Sequence, residues 1–264
     1  MKKLHNYFEI VMILGIMDLK LKYRSSKLGF LWSFLKPFLQ FCVYYVVFAI
    51  FFHVGEGNSY ALLLFLGVII WGFFCDATGL GMNSYIGKKS IVTKINVNKV
   101  LMPVAAYITP ALNFLLNFSI FFLLYILFDF EEFCRLSFSK IIILCMIFVD
   151  MGIIIVALNI ILANINALFR DVQNMWDLIL QYGVFVTPIL YPLPIPDNLL
   201  LPYFSFNVLA LPIEVAKAQL FQYNTKVFTD FYPFLIGHIV IAITLCSLAK
   251  IVHGKFSDKV ADYI

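Results

Sequence analysis

The chain has 264 residues, of which 62% are hydrophobic and only 13% charged, with a mean hydropathy of +0.94; an average soluble domain carries about 25% charged residues. A chain this long could bury a soluble core, but it has too little polar surface to cover one, so an all-α integral membrane protein is expected. The net charge of +4 is too modest to point to nucleic acid, and the five cysteines, odd in number and without a CxxC pair, read as small buried hydrophobes.

The N-terminal segment opens with an apolar run, Ile10 to Met17, bracketed by Glu9, Asp18, Lys20, Lys22 and Arg24. At 1.5 Å per residue it covers roughly 12 Å, too little to cross a bilayer. An amphipathic helix lying in the membrane interface is expected here, with Asp18 and Lys22 as i,i+4 partners. The basic cluster stands where a signal peptide would need small residues for cleavage, so no removable leader is expected.

Six segments are apolar over about 20 residues, the length of a spanning helix: 29–52, 60–86, 101–128, 140–168, 173–191 and 232–251. No soluble domain fits between them. One membrane domain over 1–264 is expected, with an N-terminal interface helix in 1–27, spans one to five within 29–191, and a sixth span at 232–251 before a tail at 252–264. The stretch 192–231 is apolar but broken by Pro192, Pro194, Pro196, Pro202 and Pro212, which predicts short interfacial or re-entrant helices on one side.

Lysine and arginine set the orientation. The N-terminal segment through Lys36, the 87–100 and 169–172 loops and the C-terminal end carry 15, whereas the 53–59, 129–140 and 192–231 loops carry four. An even number of spans puts both termini on one side, and this asymmetry makes that side cytoplasmic. Lys20, Lys22, Arg24 and Lys27 then anchor the first helix to anionic headgroups, and Lys36 snorkels back toward them from the first span.

Aromatic residues recur at helical spacing in two spans. Phe34, Phe38, Phe41, Tyr45, Phe48 and Phe52 step by four and three residues and share one helical face; Tyr44 lies off it. Phe114, Phe118, Phe121, Tyr125 and Phe128 repeat the pattern in the third span. Such a face serves helix packing or lipid contact, or it forms a ladder on which sugar rings slide. Polar residues within spans (Asp76, Asn83, Asn113, Asn117, Asp150, Asn159, Asn164, Asn166, Asp177 and Gln181) serve interhelical hydrogen bonds or a transport path.

Catalysis has little support. The histidines are His5, His53, His238 and His253, and the fourth span has no serine after Ser139. "GMNSYIGKKS" at 81–90 imitates a phosphate loop, but five residues separate Gly81 from Gly87 and Lys89 stands where Ser or Thr is needed. No metal is expected, and any ATP hydrolysis belongs to another chain.

"LGFLWSFLKP", with Leu28, Gly29, Leu31, Trp32 and Pro37, resembles the start of the first span in the permease subunit of ATP-binding-cassette exporters of O-antigen, capsule or teichoic acid. Phe169, Arg170 and Asp171 resemble that family's Phe-Arg-Asp turn. Thr187, Pro188, Tyr191 and Pro192 resemble its fifth-span end. The resemblance runs in order along the whole chain. It departs at Asn207, which precedes Val208 rather than proline, with Pro212 coming later.

The resemblance implies a bacterial inner-membrane protein of two permease copies with two ATPase copies, the latter holding ATP and Mg. A short helix in 87–100, with Lys88, Lys89 and Lys94, and the turn at Arg170 and Asp171 would couple to the ATPase. The substrate would be a lipid-linked glycan, its pyrophosphate received at Lys20, Lys22, Arg24 and Lys27. The alternative is a self-contained channel or ion-coupled carrier using Asp76 and Asp150.

Overall fold

The computed structural model describes residues 2–24, 29–55, 57–94, 98–191, 196–221 and 231–263. Among these residues every regular element is helical, as the composition requires of a chain that must satisfy its backbone without water. Among the described residues five helices are long and apolar enough to cross a bilayer: Trp32–Phe51, Ser59–Met82, Leu101–Phe128, Phe138–Leu168 and Pro233–Ser257.

Helix α1, Lys2–Tyr23, is a single 22-residue helix. It is docked on the bundle through Leu14, which is buried, and Gly15. The Gly15 carbonyl accepts a hydrogen bond from Thr109 Oγ1 at 3.2 Å, and a Cβ on Gly15 would meet Ile108 at 2.5 Å. The expected Asp18–Lys22 pair does not form. Asp18 instead meets Lys88 Nζ at 2.6 Å, and Lys22 turns toward Asp76, because tertiary partners lie closer than the next turn of α1.

Helix α2, Trp32–Tyr45, follows a short 3₁₀ turn at Gly29–Leu31 and continues as a wider turn over Val46–Phe51. Gly29 has φ +47°, a left-handed conformation in which a side chain is strained. Pro37 lies inside α2 and cannot donate to the carbonyl of Ser33. That carbonyl is taken up by Asn117 Nδ2 at 3.1 Å. A proline and an asparagine 80 positions apart in the sequence are thus complementary, and the pair fixes α2 against the third span.

Helix α3, Gly57–Met82, is the central post; most of it is buried, and it touches α2 and several later helices, among them those at 101–128, 138–168 and 210–221. It ends at Asn83, whose Nδ2 turns back to the Gly79 carbonyl at 3.1 Å. The second span therefore stops short of the predicted residue 86. The short helices α4, Ser84–Gly87, and α5, Lys89–Lys94, follow. The third span is broken into α6, Leu101–Ala105, and α7, Ile108–Phe128. Pro110 cannot donate to Ala106, which accounts for the break. A small helix α8, Phe130–Cys134, leads into α9, Phe138–Leu168.

The predicted fifth span, 173–191, forms α10, Asp171–Val186. Its 16 residues reach about 24 Å, less than the roughly 30 Å of a hydrocarbon core. Pro188 forces Thr187 into an extended conformation (φ −96°, ψ 144°), and the chain turns. Pro192 to Ile195 lie outside the described residues. Helices α11, Asp197–Phe206, and α12, Ala210–Phe221, follow, joined by a short connection at 207–209. Every residue of α12 from Ala210 to Leu220 is buried, against α3 and α9. Helix α13, Phe231–Tyr263, packs along α9 and runs past the predicted end at 251.

The start of α12 follows from Asn207. Its Oδ1 accepts the Leu209 N–H at 3.2 Å and its Nδ2 donates to Thr187 Oγ1 at 2.9 Å. Pro212 then falls in the first turn, where a missing N–H is tolerated. Lys217, counted with the outer loop on sequence grounds, is enclosed; it donates to the Pro188 carbonyl and lies 3.5 Å from Glu214. It therefore reports nothing about a membrane surface.

Candidate functional site

A cleft of about 820 Å³ opens between the end of α1 and helices α2, α3, α7 and α10. Its charged centre is Asp76 on α3. Lys36 Nζ lies 3.1 Å from one carboxylate oxygen and Lys22 Nζ 3.4 Å from the other. Lys22 is on α1 and Lys36 on α2, and Tyr23, the last residue of α1, ties that end of the helix to α2 and α7. Its hydroxyl is hydrogen-bonded to Ser33 Oγ and donates to Asn113 Oδ1 at 3.1 Å. Asn117, which also donates to the Asn113 carbonyl at 2.9 Å, completes this wall. Gln40 donates to Tyr44 Oη at 3.0 Å, and Asp177 and Gln181 face the cleft from α10. Trp32 and Trp71 add broad apolar faces.

The ion pairs are partly solvated, with about a third of the Asp76 and Lys22 side chains exposed and 70% of that of Lys36. Such pairs hold little net stability. They are available for exchange with a ligand's charges. The cleft offers cations, a carboxylate, amides and aromatic faces together, which is chemistry suited to a hydroxylated, phosphate-bearing ligand and not to a purely apolar one.

No protein-family profile matches the chain. Curated relatives do. The O-antigen export system permease protein RfbA of Myxococcus xanthus is 29% identical over 193 residues, 73% of this chain and 72% of that protein. Two proteins of the same name from Klebsiella pneumoniae are 28% and 27% identical over 184 residues, 70% of this chain and 69% of each. The resemblance read from the motifs holds. The chain is similar to exporter permeases, and its apolar helices make it a multi-pass membrane protein.

Set in this permease-like frame, the expected residues separate into groups. Lys22 reaches the cleft; Lys20 and Arg24 are exposed outside it, and Lys27 lies outside the described residues. The aromatic face of α2 lies against the bundle. Phe41 meets Phe65 edge-on at 5.2 Å, Tyr45 lies 6.4 Å from Tyr60 and Phe48 6.0 Å from Tyr191. Phe34 and Phe38 are stacked at 5.4 Å, and Phe52 is exposed. On α7, Phe114, Phe121 and Tyr125 are core residues with Phe118 beside them, while Phe128 is exposed. Phe38, Phe41, Tyr45 and Phe128 also line a separate pocket of about 400 Å³ against Phe65 and Leu124, whereas the cleft is lined by the neighbouring face of α2, including Tyr44. Of both ladders only Phe114 also touches it.

The residues expected to couple to an ATPase gather at one end. Asn166, near the end of α9, donates to the Met82 carbonyl and to Asn83 Oδ1, each at 3.3 Å, so the 83–94 turn and the 169–171 turn are neighbours. Lys89, Lys94, Arg170 and Asp171 are exposed there. Lys88 is drawn inward by Asp18. Asp150 is not in the cleft; it pairs with His238 on α13. Sequence periodicity missed Tyr23, Ser33, Gln40 and Trp71 because they are spread over α1, α2 and α3 and meet only on folding; the polar residues within spans, Asp76, Asn113, Asn117, Asp177 and Gln181, pointed toward this place.

Proposed function

We propose that the chain is the transmembrane subunit of an ATP-driven exporter that moves a lipid-linked polysaccharide across the bacterial cytoplasmic membrane. The carrying observation is the cleft centred on Asp76, with its lysines, amides and aromatic faces set among apolar helices. The names of the relatives, O-antigen export permeases, support the substrate class. In this reading two copies work with two copies of a separate ATPase, which holds ATP and Mg and docks on Lys89, Lys94, Arg170 and Asp171. With α10 and the turn at Thr187–Tyr191 taken together as a further crossing, both termini face the cytoplasm, as the distribution of basic residues favours. Lys22 and Lys36 exchange Asp76 for the glycan's pyrophosphate, with Lys20, Arg24 and Lys27 drawing it in. The aromatic faces of α2 and α7 form the wall behind the path, and Trp32, Trp71 and Tyr44 meet the sugars. An ion-coupled carrier gains no comparable support, since Asp76 and Asp150 each already hold a cation-forming partner and stand apart.

The test uses cells whose only permease is this chain. Asp76→Asn and Trp32→Leu should reduce surface polysaccharide at least several-fold while protein abundance and ATPase co-purification stay near normal. Ile236→Ala, on an exposed position of α13, is the matched control. Normal surface delivery in both cleft variants, or failure to co-purify any ATPase, would overturn the reading.

A further inference from the structure

A second concavity lies away from the cleft, between α9 and α13, with a volume of about 860 Å³. Its walls are two regular helical stripes. On α9 the stripe runs from Val149 to Ile160 in steps of three and four residues; on α13 it runs from Cys246 to Gly254 in the same steps. Val149 and Ile153 are exposed, so the groove opens sideways from the bundle. Gly152 lets Tyr107 close its floor, since a Cβ there would meet the Tyr107 hydroxyl at 2.6 Å. At one end stand Lys250 and His253; among the described residues no carboxylate lines the groove.

We propose that this groove is a binding site for one anionic phospholipid of the surrounding bilayer, with an acyl chain along α9 and the phosphate on Lys250. The proposal does not depend on what the transporter carries. Three features commit the site to lipid. The α9 stripe spans about 16 Å, close to one leaflet's half of a hydrocarbon core about 30 Å thick. Among the described residues the charged side chain that lines the groove is Lys250, in the C-terminal half of α13 and exposed, which complements a phosphate. A helix from a second copy, about 10–12 Å across with its side chains, displaces roughly 1,500 Å³ over the same length, well above the volume of the groove.

The experiment is native mass spectrometry of the full-length chain, with any subunits that purify with it, titrated with phosphatidylglycerol or with phosphatidylcholine of the same acyl chains. The unaltered chain should bind the first phosphatidylglycerol about five-fold more tightly, the contribution of one surface lysine toward an anionic lipid. Lys250→Gln should abolish that preference and leave phosphatidylcholine binding unchanged. Gly254→Leu, whose Cβ enters open space, should fill the groove and weaken both lipids without disturbing the fold. Retention of the full preference in both variants would overturn the proposal. So would a change in oligomeric mass with unchanged lipid adducts, which would make the groove an interface between copies.

Discussion

Replacing His238 by leucine tests the best-defined polar link in the bundle. His238 on α13 is 1% exposed; its Nδ1 faces Asp150 Oδ2 on α9, and its Nε2 lies 2.9 Å from the Val208 carbonyl. A carbonyl only accepts, so Nε2 carries a proton and Nδ1 is left to face the carboxylate. Val208 needs this donor because Pro212, four residues on, has no N–H to offer. The imidazole therefore ties α9, α13 and the start of α12 together. Removing it leaves a carboxylate that is only 15% exposed without its partner, at a cost of about 3–5 kcal/mol. His238→Leu should lower the thermal unfolding midpoint in mild detergent by on the order of 10 °C. The double variant His238→Leu/Asp150→Leu removes the stranded charge and leaves only the Val208 carbonyl unpaired, about 1–3 kcal/mol, so it should be more stable than the single variant. If the double variant melts as low as His238→Leu, or if the single variant loses no more than a degree or two, the pair does not hold these helices and the reasoning fails.

Three further outcomes follow from named contacts. Asn117→Leu should cost about 1–3 kcal/mol by stranding the Ser33 carbonyl; in a Pro37→Ala background, which restores a backbone donor, calorimetry should show a smaller loss. Lys88→Glu should destabilise the chain by about 3–5 kcal/mol, the pair being largely enclosed, and Asp18→Lys/Lys88→Asp should recover part of it in the same melting assay. Gly81→Ala, whose Cβ would lie 2.1 Å from the Asn159 side chain, should cost about 1–3 kcal/mol through overpacking. Gly79→Ala, with open space around its Cβ, should be neutral or stabilising by up to about 1 kcal/mol through helix propensity; equal melting temperatures for the two would refute the close approach of α3 and α9.

The sequence by itself determined what depends on local chemistry. Apolar runs of spanning length made the helices, because a backbone in lipid has no other way to satisfy its groups. The stretch after the fifth apolar segment forms only short helices, α11 and α12, as its prolines predicted, although the break between them falls at Asn207 and not at a proline. The order of the motifs "LGFLWSFLKP", Phe169–Asp171 and Thr187–Pro192 pointed to exporter permeases, and the relatives agree. The tertiary structure decided what a periodic pattern cannot express. A face of aromatic rings looks the same whether a neighbour or a ligand covers it; only α3 packing on Phe41 and Tyr45, and the core closing over Phe121 and Tyr125, assigned those faces to the bundle. Charge pairing behaved likewise. Asp18 and Lys22 are well spaced on α1, yet each found a nearer partner on another helix. The cleft was legible only as scattered polar residues, since Tyr23, Ser33, Asp76, Asn117 and Gln181 come from five helices. Pro37 shows the physical reason: the carbonyl it freed could be paired only by a residue that folding brings to it, Asn117.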